Sequence, residues 1–235
     1  MNHFFDKNVE FYGNIPARDY DQFFVTHVKN SKSKTLLDIG GGAGAFAILL
    51  HQHLPDVGVT VVDPSQALLN KIDNQTIEKI NGNLPNNLNL ARGREFDIIH
   101  VKEVLHHVVG NSVQASKKLL AASLQTIASY LVDNGHLMIH EDYYESFLVP
   151  ALTRNSIFYL LRLQNSFQVR FPISGFLKDL QVCFYTRREL LQELTKNGFS
   201  VLEYREVPFS NNFTKKIGLL RNWGRVLIIA KNLHD

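Results

Sequence analysis

Short apolar runs alternate with amphipathic stretches along the first 140 residues of the chain. Five of these runs predict strands, at residues 35–39, 57–62, 78–81, 96–101 and 135–140. Helices are predicted at residues 44–53, 66–74 and 112–131. The run at 96–101 is apolar almost throughout, which is typical of a strand buried on both faces. Strands that alternate with helices at this spacing predict an α/β fold with a doubly wound, mostly parallel sheet.

Two regions do not fit this alternation. Residues 4–30 carry a helical apolar face, and we predict an N-terminal helical region over residues 1–32. Residues 143–185 predict a helical cap insertion after the fifth strand, which would lie above the edge of the sheet where ligands bind. We interpret it as a lid or substrate cap. Its aromatic and arginine residues include Phe147, Phe158, Tyr159, Phe167, Phe171, Phe176, Phe184, Arg154, Arg162 and Arg170.

The C-terminal part of the chain predicts one more helix and two late strands. Thr186 and Glu189 have the spacing of a capping box, and Gly198 stands where a helix commonly ends. Apolar runs at residues 199–207 and 225–231 then predict two strands, which we expect to form an antiparallel pair.

The candidate chemistry begins with the segment TLLDIGGGAGAF at residues 35–46. Four glycines directly follow a strand and precede a helix, so the backbone there can adopt positive φ and approach a ligand closely. The start of the helix adds free N–H groups and the positive end of a dipole. Dinucleotides and S-adenosylmethionine (SAM) are both bound by such turns, and Gly40, Gly42 and Ala45 fit the dinucleotide pattern loosely.

The same segment resembles motif I of the class I SAM-dependent methyltransferases, as Asp38-x-Gly40-x-Gly42-x-Gly44. The acid favours SAM, because the methionine end of SAM carries an ammonium group, whereas an acid would repel the pyrophosphate of a dinucleotide. The resemblance implies one methyltransferase domain over residues 1–235. It also implies a Rossmann-like, seven-stranded sheet that ends in an antiparallel strand pair.

The resemblance further implies cofactor contacts along four strand ends. They are Asp38, Gly40, Gly41, Gly42, Gly44, Asp63, Pro64, Asn83, Leu84 and Lys102. In the family an acid at the position of Asp63 accepts hydrogen bonds from both ribose hydroxyls, although a turn-forming role before Pro64 is the alternative. Asn83 replaces an acid that contacts the adenine amino group in many relatives, and its amide oxygen can accept the same bond. The backbone near Lys102 is expected to line the methionine pocket.

Three residues are candidates for catalysis. His106 and His107 follow the fourth strand in a Leu-His-His sequence that resembles the same segment of small-molecule methyltransferases. Either histidine could deprotonate a hydroxyl acceptor, because histidine titrates near neutral pH; the alternative is that one of them packs or caps the loop. Glu141, after the fifth strand, could orient an amine or a hydroxyl, or it could lie in a solvated loop.

Composition narrows the choice of partners. The net charge of +3, from 25 basic and 22 acidic residues, gives no case for a nucleic-acid partner. Cys183 is the only cysteine in the sequence, so an internal disulfide cannot form, which fits a reducing compartment. No signal peptide and no apolar run of 18 residues is found, so we expect a cytoplasmic protein without a transmembrane segment. Residues 146–163 are amphipathic, which leaves peripheral contact with a membrane open. No metal site is predicted.

We therefore interpret the chain as an enzyme that transfers the methyl group of SAM to a small-molecule acceptor. Methylation of oxygen is slightly favoured over nitrogen or carbon. The aromatic cap suggests an acceptor with a flat or apolar body, and a lipid-like acceptor also fits. The alternatives are a SAM-binding protein without transfer activity, a different use of the adenosyl sulfonium, and a nicotinamide-dependent oxidoreductase.

Overall fold

The computed structural model describes residues 2–146, 149–167, 180–209 and 220–233. The strands of the described part are β1 Thr35–Ile39, β2 Gly58–Asp63, β3 Glu78–Asn81, β4 Phe96–Lys102, β5 Leu131–Ser146, β6 Phe199–Pro208 and β7 Leu220–Asn232. Its α-helices are α1 Asn2–Lys7, α2 Val9–Tyr12, α3 Asp21–Ser31, α4 Ala45–His53, α5 Gln66–Leu69, α6 Val113–Ala128, α7 Ala151–Phe167 and α8 Arg187–Lys196. A 3-10 turn lies at Leu105–His107.

The seven strands form one sheet in the order β3-β2-β1-β4-β5-β7-β6. The first five strands are parallel, and β7 runs antiparallel to both β5 and β6. This confirms the doubly wound, mostly parallel sheet with an antiparallel strand pair. The strand order reverses between β1 and β4, and ligands of such sheets bind at the carboxyl edge beside that point.

Helices cover both faces of the sheet because its central strands are apolar on both sides. On one face α3 and α4 bury Phe24 and Leu50 against the sheet. On the other face α6, α7 and α8 bury Leu124, Phe158 and Leu194. The site at the carboxyl edge is therefore held between two packed layers.

Strand β5 is longer than the sequence pattern predicts. The expected strand was residues 135–140, but β5 is paired with β7 as far as Ser146, so it includes the first residues assigned to the cap. The long antiparallel ladder accounts for the extension, since β7 supplies partners for residues that carry no apolar pattern of their own. Within the cap, α7 begins directly after Pro150, which suits a residue that starts helices. Phe147, Arg170, Phe171 and Phe176 lie outside the described residues.

Two helix ends show how side chains set the boundaries. Helix α5 ends at Leu69 rather than near residue 74, and the Asn74 side chain accepts a hydrogen bond from the Thr76 N–H (2.9 Å) in a local turn that competes with helix. Helix α8 opens with the predicted capping box between Thr186 and Glu189. Gly198, at φ +77°, follows its last turn.

Candidate active site

A cavity of about 320 Å³ opens at the carboxyl edge of the sheet. Its walls are the glycine-rich turn, the ends of β2 and β4, the loop after β3 and the N-terminal segment. The predicted site residues that line it are Asp38, Gly40, Gly41, Gly42, Asp63, Pro64, Asn83, Leu84, Lys102 and His107. Gly44, His106 and Glu141 are not part of this wall. The structure therefore gathers most of the predicted cofactor residues around one space and sets three candidates apart.

The glycines of the turn have different structural roles. Gly42 has φ +56°, and a Cβ built there would meet no protein atom closer than Leu68 Cδ1 at 3.8 Å, so a side chain would extend into open space at the cavity. Gly44 has φ +76°, and a Cβ there would lie only 2.9 Å from Ile72 Cγ1. Gly44 thus allows α4 to pack closely against the following segment rather than touching a ligand.

Asp38 and His100 form a buried pair beneath the turn. Asp38 Oδ1 lies 2.8 Å from His100 Nδ1, and both side chains are inaccessible to solvent. The second carboxylate oxygen, Oδ2, has no hydrogen-bond partner among the described residues. A buried carboxylate oxygen without a partner is costly, and Asp38 lines the cavity, so this oxygen fits a cationic group of a bound ligand.

Asp63 fastens the end of β2 to the glycine-rich turn. Its Oδ2 accepts a hydrogen bond from the Gly42 N–H (2.9 Å) and its Oδ1 accepts one from the Ser65 N–H (2.8 Å). Burial raises the pKa of Asp63 to about 6, against the lowering effect of the two backbone N–H groups. A carboxylate has about four acceptor positions, so Asp63 can still accept hydrogen bonds from a pair of hydroxyls.

The N-terminal segment closes the cavity from above. Phe5, Tyr12, Ile15 and Pro16 line it, and Asp6 Oδ1 accepts a hydrogen bond from the Ser65 hydroxyl (2.5 Å). None of these residues was predicted as part of the site. The helical apolar pattern of the segment predicts that it packs against the rest of the protein, but the pattern does not show that it packs over the cavity.

Lys102 is bound by a neighbouring acid. Its Nζ donates to both carboxylate oxygens of the buried Asp21, at 3.0 and 2.8 Å. The ion pair ties the end of β4 to the first turn of α3. Lys102 lines the cavity, as predicted for its backbone, while its ammonium group is held by Asp21.

His106 and Glu141 form a buried dyad beside the cavity. Nδ1 of His106 lies 2.6 Å from Glu141 Oε2, and Glu141 Oε1 accepts a hydrogen bond from the Leu105 N–H (2.6 Å). Burial lowers the pKa of His106, but the Glu141 carboxylate outweighs burial and holds that pKa above its ordinary value. Glu141 is part of strand β5 and buried, so it is not in a solvated loop and faces His106 rather than an acceptor.

His107 has a different environment from its neighbour. It lines the cavity, where the ring of Phe5 packs edge-on at 5.3 Å between ring centroids. Burial and the neighbouring His106 hold the pKa of His107 well below its ordinary value, so His107 is neutral near pH 7. The two histidines are therefore distinguished by position and by the direction in which their pKa is shifted.

An aromatic wall continues from His106 towards β7. The His106 ring stacks on Phe184 at 4.9 Å between centroids, and Phe184 contacts Tyr144 at 4.7 Å. The backbone N–H of Cys183 donates to the His106 carbonyl (2.8 Å), which holds this wall against the turn after β4. Phe184 thus covers one face of the His106 ring with an apolar side chain.

Among the residues that the structure describes, one cluster at this edge could hold a metal ion. Glu103, His140 and Asp142 each place one ligand atom within 4.8 Å of the others. Arg225 already binds both carboxylates there, with Nε 2.9 Å from Asp142 Oδ1 and Nη2 3.3 Å from Glu103 Oε1. The guanidinium supplies the positive charge that a metal ion would otherwise bring.

A family model described as a methyltransferase domain matches residues 11–204. The chain belongs to this family. The match confirms the family that the glycine-rich turn predicts and disfavours the nicotinamide-dependent oxidoreductase. No curated protein matches the chain in sequence.

Solved structures show the same fold at low sequence identity. A SAM-dependent methyltransferase from Clostridium acetobutylicum is 12% identical to this chain, with a TM-score of 0.62. The match covers 99% of this chain and 97% of the Clostridium chain. Magnesium protoporphyrin IX methyltransferase (ChlM) from Synechocystis PCC 6803, with bound S-adenosylhomocysteine (SAH), is 15% identical over 98% and 97%, with a TM-score of 0.61. PigF with SAH is 18% identical over 91% of this chain, with a TM-score of 0.55. This chain spans 54% of the PigF structure.

Proposed function

We propose that this methyltransferase uses SAM to methylate a hydroxyl oxygen of a small acceptor, with His106 as general base and Glu141 as its positioning residue. The observation that carries the proposal is the buried hydrogen bond of 2.6 Å between His106 Nδ1 and Glu141 Oε2, at the edge of the sheet that also holds the cavity. Family membership supports methyl transfer as the reaction class. The dyad supports the choice of oxygen.

The residues around the cavity fit SAM. The partnerless Asp38 Oδ2 suits the methionine ammonium group, and the open space at Gly42 allows the backbone to approach a ligand. Asp63 has acceptor positions left for the two ribose hydroxyls, and we assign Asn83 and Leu84, which line the same cavity, to the adenine. SAH is bound in the ChlM and PigF structures, which supports the same cofactor here. When bound, SAM supplies an electrophilic methyl group on a sulfonium centre.

The dyad prepares His106 to accept a proton. Because Nδ1–H donates to Glu141, Nε2 carries the lone pair that can take the proton of the acceptor hydroxyl as its oxygen forms the bond to the methyl carbon. The Glu141 carboxylate then stabilises the imidazolium that forms. A neutral amine can attack with its own lone pair before it loses a proton, so an oriented base is needed more for a hydroxyl than for an amine.

The wall beside His106 favours an acceptor with a flat, apolar body. Phe184 stacks on the His106 ring, and Tyr144 packs edge-on against Phe184. Aromatic rings stack favourably on such a wall at centroid distances of about 4.5–7 Å. A phenolic or enolic hydroxyl combines a flat body with a proton that histidine can remove.

Calorimetric titration with SAH, with NADH and NADPH as controls, tests the cofactor. We expect saturable binding of SAH alone, in the micromolar range. A screen of phenols with labelled SAM then provides an acceptor for kinetics.

The variant His106→Gln tests the base. We expect kcat to fall on the order of 10²- to 10⁴-fold while the Kd for SAH changes less than twofold, because the His106 side chain lies outside the cavity wall. His107→Gln provides the contrast, with its main effect on SAH binding. A variant that keeps wild-type kcat after loss of His106 would remove the base from the proposal.

A further inference from the structure

His100 is the polar residue in an otherwise apolar stretch of β4, residues 98–101. It is fully buried, like Ile99 and Val101 on either side of it. Its ring packs against Phe24 of α3, at 5.2 Å between ring centroids, and against Phe46 of α4, at 4.0 Å. Burying an imidazole among aromatic rings costs free energy that an apolar side chain would not cost. Packing alone therefore does not account for a histidine at this position.

The Nδ1 atom of His100 binds Asp38 on the neighbouring strand β1. The two residues are register partners in the β1–β4 ladder, and His100 Nδ1 lies 2.8 Å from Asp38 Oδ1. Because an ionised carboxylate only accepts hydrogen bonds, Nδ1 carries the hydrogen of this bond. Asp38 Oδ2 has no partner among the described residues. Loss of His100 would therefore leave a buried carboxylate without its side-chain donor.

The other ring nitrogen indicates the charge of the pair. His100 Nε2 is buried and has no hydrogen-bond partner in the described part of the chain. A buried cationic N–H without an acceptor costs more free energy than a bare lone pair, so this geometry favours the neutral ring with its hydrogen on Nδ1. A neutral His100 leaves the pair with the negative charge of Asp38, whereas an imidazolium would cancel it.

His100 can act on a ligand only through Asp38. Asp38 is part of the cavity wall and His100 is not. Gly41 also lines the cavity, and a Cβ built there would lie 2.6 Å from Asp38 Oδ2. The carboxylate thus lies against the glycine-rich turn, so a small rotation of it would change its distance from a ligand in the cavity.

We propose that His100 is a positioning residue for the cofactor. As a neutral donor it keeps the Asp38 carboxylate ionised and oriented, so that this buried charge attracts the ammonium group at the methionine end of SAM. The inference rests on the proposed function in one respect, that SAM occupies the cavity. It adds a residue that lies outside the cavity and determines how strongly one end of the cofactor is held.

Calorimetric titration with two ligands tests this role. One is SAH, and the other is deaminated SAH, in which hydrogen replaces the amino group. In His100→Leu we expect the Kd for SAH to rise about 10- to 100-fold, because a hydrogen bond to a charged group is lost. The Kd for deaminated SAH should change less than about threefold, since that ligand has no ammonium group.

Two further variants separate the hydrogen bond from packing. His100→Asn is the conservative variant, because the asparagine Nδ2 can take the place of the imidazole Nδ1, and it should keep the Kd for SAH within about threefold. Phe24→Leu reduces packing against the His100 ring and keeps the bond to Asp38. It should lower the Tm and leave SAH affinity unchanged, because Phe24 is not part of the cavity wall. If His100→Leu does not fold, His100→Gln replaces it, since its amide nitrogen takes the place of Nε2 instead of Nδ1.

Three outcomes would overturn the proposal by pointing to packing instead of the Asp38 charge. They are equal losses for SAH and deaminated SAH in His100→Leu, a loss in His100→Asn as large as in His100→Leu, and a loss of the same size in Phe24→Leu. Unchanged SAH affinity in His100→Leu would also overturn it and would leave the proposed function standing. A wild type that binds no SAH would instead contradict the proposed function, and this inference with it.

Discussion

The two halves of the candidate active site are built in different ways. The cofactor half is formed largely by backbone, with the turn at residues 38–45 and the end of β2 held together by the bond from the Gly42 N–H to Asp63. The proposed acceptor half is formed by side chains from distant parts of the chain. His106 and Glu141, which form its dyad, are 35 residues apart.

This difference decides what each half tolerates. A backbone turn depends on which residues accept positive φ, so a single added methyl group can disturb it. A side-chain dyad depends on charge and orientation, so a change of one atom in Glu141 can alter it while the fold stays intact. Substitutions in the two halves should therefore have separable effects on cofactor affinity and on turnover.

The largest expected effect is in the cofactor half. In Gly42→Ala the added methyl group points into open space at the cavity, where it would meet the cofactor and no protein atom within 3.8 Å. We expect the Kd for SAH to rise at least 100-fold, about 2.7 kcal/mol. Isothermal calorimetry measures the affinity, and thermal unfolding shows that the protein remains folded.

Gly93→Ala is the matched control for that variant. Gly93 also has positive φ, +75°, and a Cβ there would have no neighbour within 4 Å. Both variants should lose about 1–2 kcal/mol of stability from the left-handed backbone conformation. Only Gly42→Ala should lose SAH affinity, and equal losses in the two variants would show that backbone strain rather than ligand contact is responsible.

The difference between a backbone turn and a side-chain dyad also explains which features of the fold and the site can be predicted from the sequence. The glycine-rich turn, the alternation of strands and helices and the capping box at Thr186 follow from local patterns, because turn conformation and periodicity depend on neighbouring residues. The partners of the site residues do not, since nothing near Asp38 in the sequence points to His100 and nothing near Glu141 points to His106. Strand β5 was underestimated for the same reason, because its extension depends on pairing with β7.

An intermediate effect is expected in the acceptor half. The Glu141 carboxylate holds the pKa of His106 above its ordinary value, and a base must be neutral to act, so wild-type kcat should rise with pH through a pKa above about 6.5. In Glu141→Gln that pKa falls, which moves the rising limb to lower pH. Because the ring also loses its orientation, the plateau of kcat should fall on the order of 10- to 100-fold.

Glu145→Gln is the control for the Glu141 variant. Glu145 is a buried carboxylate on the same strand, but it pairs with Arg187 instead of a histidine. Its replacement should leave the pH profile unmoved. A Glu141→Gln profile that superimposes on the wild-type profile would mean that Glu141 does not act through His106.

The smallest expected effect concerns two buried acids, of which Asp63 lines the cofactor cavity and Asp142 does not. Burial raises the pKa of both Asp63 and Asp142 to about 6, and for Asp142 the nearby Glu103 carboxylate adds to burial. If ionised Asp63 accepts the ribose hydroxyls, SAH affinity should be constant above pH 7 and fall about tenfold by pH 5, where about one Asp63 in ten remains ionised.

Replacing each acid in turn shows which of the two causes the pH dependence of SAH affinity. Asp142→Asn should keep the fall in SAH affinity below pH 6, because Asp142 is not part of the cavity wall. Asp63→Asn should bind SAH more weakly at pH 7.5 and lose the pH dependence, since its side chain no longer ionises. Calorimetric titrations at four pH values measure how the SAH affinity of each variant changes with pH. The reverse pattern would place the ionisation that governs cofactor binding in the acceptor half, and the separation between the two halves would not hold.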